Sequence, residues 1–111
     1  MSIQIHTTAM NLTYALHRAG HTPEKRLTFA VDHQGRVIVS SSSGGSSGLP
    51  TFGIVRDPLS ADRISVQTDV YEYALLRHWL DQCPNNHVDV HLTDFGMDVQ
   101  IAGLTLMFRL A

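Results

Sequence analysis

The stretch Ile64-Ser65-Val66-Gln67-Thr68, followed by Val70–Gln82 and then by His87-Val88-Asp89-Val90-His91-Leu92, decides how this chain folds. Ile64, Val66 and Thr68 alternate with polar neighbours, which is the period of a half-buried strand. Asp69 stands where a carboxylate would accept the first free N–H groups of a helix. Beyond it Tyr73, Leu76 and Leu80 fall on one helical stripe with Leu75 and Trp79 beside it, a face broad enough to lie on a sheet. Pro84-Asn85-Asn86 ends that helix. Val88, Val90 and Leu92 then alternate, Asp94-Phe95-Gly96 turns, and Met97, Val99 and Ile101 alternate in their turn. After Ala102-Gly103 the same period returns at Leu104, Leu106, Phe108 and Leu110. Three consecutive alternating strands predict an antiparallel meander covered on one face.

The same order of elements occurs earlier in the chain. Ile3 and Ile5 alternate, Thr7 or Thr8 offers an N-cap hydroxyl, and Leu12, Ala15, Leu16 and Ala19 mark one face of a helix over Ala9–Ala19. Gly20 closes it, with Pro23 beyond. Leu27, Phe29 and Val31, the turn Asp32-His33-Gln34-Gly35, and Val37 and Val39 predict a hairpin. The tract Ser40–Gly48 is nearly all Ser and Gly, which predicts a flexible tip or linker, residues 40–48, with Leu49–Val55 as the strand that returns from it. Pro50 keeps the start of that strand near an edge. Asp57-Pro58 marks a turn before the second copy. The expectation is an α+β fold built from a duplicated βαβββ unit, with two helices packed on antiparallel sheet. It forms one domain over residues 1–111, with repeat halves of about 1–55 and 56–111.

Composition narrows the function. A hydrophobic share of 43% with 16% charged residues supplies a core for one domain. A formal charge of −2 argues against a dedicated nucleic-acid binder, which carries a concentrated positive surface. The single cysteine, Cys83, forms no internal disulfide and reads as a small, partly buried thiol. Without a basic segment and apolar run at the N-terminus, or an apolar stretch of roughly 20 residues, the expected location is cytoplasmic.

Seven histidines invite a metal hypothesis. His17 and His21 are separated by Gly20, which interrupts the helix. His87, Asp89 and His91 share one strand face opposite Val88, Val90 and Leu92, the pattern of a solvated face; the rival is a surface metal or pH-sensitive patch. No Gly-x-Ser-x-Gly elbow frames a nucleophile. Gly44-Gly45-Ser46-Ser47-Gly48 lacks the lysine and following helix of a phosphate-binding loop. Asp94-Phe95-Gly96 is a hairpin turn. The expectation is a protein that is not an enzyme, with no catalytic residues, metal or cofactor.

The segment Asp69–Gln82, then Val88-Asp89-Val90-His91-Leu92-Thr93-Asp94, Val99-Gln100-Ile101 and Leu106-Met107-Phe108-Arg109-Leu110, resembles a domain of the bacterial DNA sliding clamp, the polymerase III beta subunit. There a strand ends in a Leu-Thr-Asp-like turn and the last strand closes on a Met-x-x-Arg-Leu-like tail. Here the tail is Met107-Phe108-Arg109-Leu110, one residue shorter in spacing. The resemblance implies a clamp-like fold and a non-enzymatic protein-interaction module that assembles into oligomers and associates with DNA replication. It implies contact with duplex DNA only if a ring forms, with Arg18 and Arg77 of the helices facing it. It also implies that Met107, Phe108 and Leu110 help form an apolar partner-binding pocket; completion of the core by Phe108 and Leu110 is the competing expectation. Leu49, Pro50 and Phe52, beside the Ser/Gly tract, are a second candidate partner surface. The chain departs from the family in carrying one domain where bacterial clamps carry three, in helices whose cations are offset by Glu72 and Asp81, and in the Ser/Gly tract. The alternative is a small inhibitor or regulator, encoded by a phage or mobile element, that binds a host enzyme or defence complex.

Overall fold

In a computed structural model of the chain, which describes residues 2–32, 34–56 and 63–110, local sequence chemistry accounts for each element. Strand β1 (Ser2–Thr8) buries Ile3, Ile5 and Thr7 on one face and hands directly to helix α1 (Ala9–Arg18). Thr8 is the N-cap: its hydroxyl accepts the N–H of Asn11 at 3.1 Å. Two further N–H groups of that helix end, on Ala9 and Met10, donate to the carbonyls of Asn86 and Pro84. The loop that ends the second helix therefore caps the start of the first. Gly20, at φ +71°, completes the C-terminal turn, where the N–H of His21 reaches the carbonyl of Leu16.

Strands β2 (Arg26–Val31), β3 (Val37–Ser41) and β4 (Ser46–Leu49) follow, then β5 (Gly53–Arg56) and β6 (Arg63–Gln67). Helix α2 (Val70–Gln82) begins with a reciprocal capping box. Asp69 accepts the N–H of Glu72 at 2.8 Å, and Glu72 accepts the N–H of Asp69 at 3.0 Å. Strands β7 (His87–Thr93), β8 (Gly96–Ile101) and β9 (Leu104–Arg109) form the expected meander. At Gly96 (φ +143°) an added Cβ would stand 2.0 Å from the carbonyl oxygen of Phe108, so only glycine lets β8 start so close to β9.

All the pairings are antiparallel. One sheet has the order β5-β1-β7-β8-β9 and the other β4-β3-β2-β6. Matching β1, β2, β3 and β4 with β6, β7, β8 and β9 turns β1-β7-β8-β9 into β6-β2-β3-β4, with β5 additional. The first strand of each half thus lies in the sheet built by the other half. A bridge between Val66 and Leu110 links the two sheets at one side. The buried faces of both sheets close on one core with Leu12, Leu16, Leu76 and Leu80 of the helices. This is an α+β fold of two helices packed on two antiparallel sheets.

The strand boundaries between residues 40 and 55 differ from the expected ones. The Ser/Gly tract 40–48 is the end of β3, a turn and most of β4, with Ile38 opposite Gly48 and Ser40 opposite Ser46. Its order comes from backbone pairing and hydroxyls rather than from buried side chains: Ser41 and Ser43 both donate to the carbonyl of Ala19. Leu49–Val55 is not one strand. It divides at Pro50-Thr51-Phe52, so that β4 serves one sheet and β5 the edge of the other. The expected turn at Asp57-Pro58 and the His33 position of the first hairpin turn lie outside the described residues.

Candidate protein-interaction surfaces

Alternation along β8 and β9 places Met97 and Phe108, which are cross-strand partners, in the core, and turns Met107 outward beside Asp98. The β7–β8 turn carries Phe95 at its tip, where no strand face exists to receive it. Its N–H is held by the Thr93 hydroxyl at 3.1 Å, and its ring is 88% exposed. Met107 is 73% exposed. Between them and Glu72 of the first turn of α2 lies a cavity of about 390 Å³, lined also by Met97, Phe108 and Arg109. Apolar side chains left in water on both rims of a cavity are suited to an apolar anchor from another chain.

The six residues expected to bind a partner do not form one surface. Leu49 and Phe108, each 4% exposed, belong to the core, because the strand period directs both inward; Phe108 reaches a partner only as a wall of the cavity. Met107 lies at that cavity, while Leu110 is partly exposed next to its bridge with Val66. Pro50 and Phe52 sit at the other end of the five-stranded sheet. Their segment is pinned: the Pro50 carbonyl accepts the Thr7 hydroxyl at 2.7 Å, the Phe52 N–H donates to His6, and the Phe52 ring lies 4.9 Å from that of His87.

Arg18 and Arg77, expected to face DNA, have different surroundings. Arg18 donates to the Tyr14 hydroxyl at 3.1 Å and lies over its ring. Arg77 stands 3.6 Å from Asp81 and lines a cavity of about 320 Å³ where the end of α1 meets the start of α2. His21 lies in the same place. It is 6% exposed, its Nε2 is 3.1 Å from the Thr68 hydroxyl, its ring meets the edge of Tyr73, and its buried Nδ1 has no partner. Burial, with the Arg77 charge adding to it, pushes its pKa down to about 4, so the ring is neutral near pH 7.

The His87-Asp89-His91 face lies on the solvent side, with His87 exposed and Asp89 and His91 half-buried. Strand β1 supplies partners across the sheet: His6 Nδ1 is 2.6 Å from Asp89 and the Ser2 hydroxyl is 2.8 Å from His91 Nε2. No group of three or more metal-ligating side chains is gathered among the described residues. Sequence reasoning missed Phe95 as an exposed apolar residue and His21 as a buried one. The signal for Phe95 was an aromatic ring inside a tight turn. For His21 there was none, because its partners come from α2 and from Thr68 just ahead of it. Among the described residues, no helix is long and apolar enough to cross a membrane. No protein-family model, curated protein or solved structure matches the chain.

Proposed function

We propose that this chain is a non-enzymatic protein-interaction module whose cavity between Phe95 and Met107 receives an apolar side chain of a partner protein. The observation that carries this is the exposure of both residues, at 88% and 73%, on the rims of a cavity walled by Met97 and Phe108. Covering the two side chains removes apolar surface from water at about 25 cal/mol per Å². Arg109, also at the cavity, supplies a donor that orients the bound segment.

The resemblance to bacterial sliding clamps adds the class of partner, proteins of DNA replication in the cytoplasm, and the mode of assembly, several copies arranged head to tail. A heterologous contact of that kind closes into a ring only if its rotation closes. Light scattering coupled to size exclusion tests assembly, and affinity capture with replication proteins tests the partner. The expected result is a closed oligomer and capture that Met107→Asp weakens at least tenfold, with the unfolding midpoint unchanged. A strict monomer at high concentration, together with capture indifferent to Met107→Asp and to Phe95→Ala, would overturn the proposal.

A further inference from the structure

The four-stranded sheet ends on β4, whose outer edge carries no strand among the described residues. Sheet edges are normally shielded by charged side chains, proline, bulges or a covering element. Along Ser46-Ser47-Gly48 this one has only two hydroxymethyl groups and a hydrogen atom. The Ser41 N–H bonds to the Gly45 carbonyl, and Ser47 and Leu49 stand opposite Val39 and Val37. The alternation of antiparallel pairing then directs the N–H and C=O of Ser46 and Gly48 away from β3, toward the open edge, where the Gly48 carbonyl accepts the Ser47 hydroxyl at 3.1 Å and keeps a second lone pair. An added Cβ at Gly48 would meet nothing within 4 Å, so the outer face of the strand is open at that position.

Helix α1 runs beside this edge. Asn11 donates to the Pro50 carbonyl at 3.4 Å, and at the far end Gly45 is packed against the carbonyl of Ala19. Tyr14 and Arg18 of α1 and Arg36 and Ile38 of the β3 side bound a cavity of about 590 Å³ that includes Ser46 and Gly48. A groove between an open strand edge and a helix suits an extended peptide that joins the sheet as a further strand, with main-chain bonds supplying affinity and side-chain contacts specificity.

Charge selects the occupant. Among the described residues, no carboxylate lines the groove. Arg36 already binds Asp32 at 2.8 Å, whereas Arg18, among the described residues, has only the Tyr14 hydroxyl and ring. We infer that the groove between α1 and the β4 edge is a second docking site, distinct from the Phe95–Met107 cavity, that takes an extended acidic peptide as a fifth strand, with Arg18 receiving its carboxylate.

The test uses the full chain labelled for amide spectra and three peptides that alternate valine with glutamate, glutamine or lysine. The glutamate peptide is expected to bind at least tenfold more tightly than the lysine peptide. It should shift and protect from exchange the amides of Ser46 and Gly48, leaving those of Phe95 and Met107 unmoved. Arg18→Glu should reverse the preference between the charged peptides. Gly48→Pro, which removes an outward N–H at an edge where proline is tolerated, should abolish binding with an unchanged circular dichroism spectrum. Equal binding of all three peptides, absence of binding, shifts confined to Phe95 and Met107, or an edge already occupied by a second copy in a dimer that Gly48→Pro dissolves, would each overturn it.

Discussion

His21 is 6% exposed and its ring has only the Thr68 hydroxyl as a hydrogen-bond partner among the described residues, so little stabilises its charged form. In the unfolded chain it titrates near 6.5; in the fold its pKa lies at about 4. Between these values the unfolded chain binds the additional proton, so stability rises with pH across that window. It is complete above about 6.5 and is lost as the pH falls toward 4. The expected loss is on the order of 2 kcal/mol, reduced from the full linkage value because the adjoining cavity admits some solvent screening. Urea unfolding at pH 7 and pH 5, compared between the wild type and His21→Gln, checks this: the variant should show a smaller pH dependence. An equal dependence in both would assign it to groups other than His21. The pKa of Asp32 is lowered as well, by hydrogen bonds rather than by burial. The Arg36 N–H first, and the Arg36 guanidinium with it, hold its carboxyl below the ordinary value and close the β2–β3 turn.

Helix α2 shows how much of one element rests on its first turn. Only Leu76 and Leu80 of its side chains are fully buried, and Val70, Tyr71 and Leu75 are exposed. With so narrow a buried stripe, satisfaction of the free N–H groups at its start weighs more than in a helix with a broad core face. Asp69→Ala removes one half of the capping box and frees the other. The expected destabilisation is about 1 kcal/mol, seen as a lower urea midpoint with an unchanged slope. Asp69→Asn retains an accepting oxygen and should lose much less. An equal loss in both variants would place the effect in the carboxylate charge at the helix N-terminus rather than in the cap.

Across the whole molecule the two halves exchange their leading strands: β1 lies between β5 and β7, and β6 pairs with β2. Neither half carries a complete sheet. Residues 1–56 alone would leave β1 without β7, and residues 63–111 alone would leave β6 without β2. Each half alone is therefore expected to lack a cooperative thermal transition, and an equimolar mixture to regain one; circular dichroism melts of the three samples decide. A cooperative transition in either isolated half would mean that its own strands rearrange into a self-sufficient sheet.

The sequence by itself determined the elements and their inward faces. Alternation at Val88, Val90 and Leu92, the spacing of Leu12, Ala15 and Leu16, and the caps at Thr8 and Asp69 are local properties of side-chain period and backbone hydrogen bonding. They were legible without coordinates. The Ser/Gly tract gave no strand signal for the same reason. Its side chains carry no period, while its strand is held by backbone bonds to β3 and by hydroxyls reaching Ala19. Only the tertiary structure decided that β1 joins β7, that Leu49–Val55 divides between the two sheets, and that His21 is sealed beside Thr68 and Tyr73. Those outcomes depend on contacts between residues far apart in the chain, and no local pattern encodes which distant strand an edge will meet.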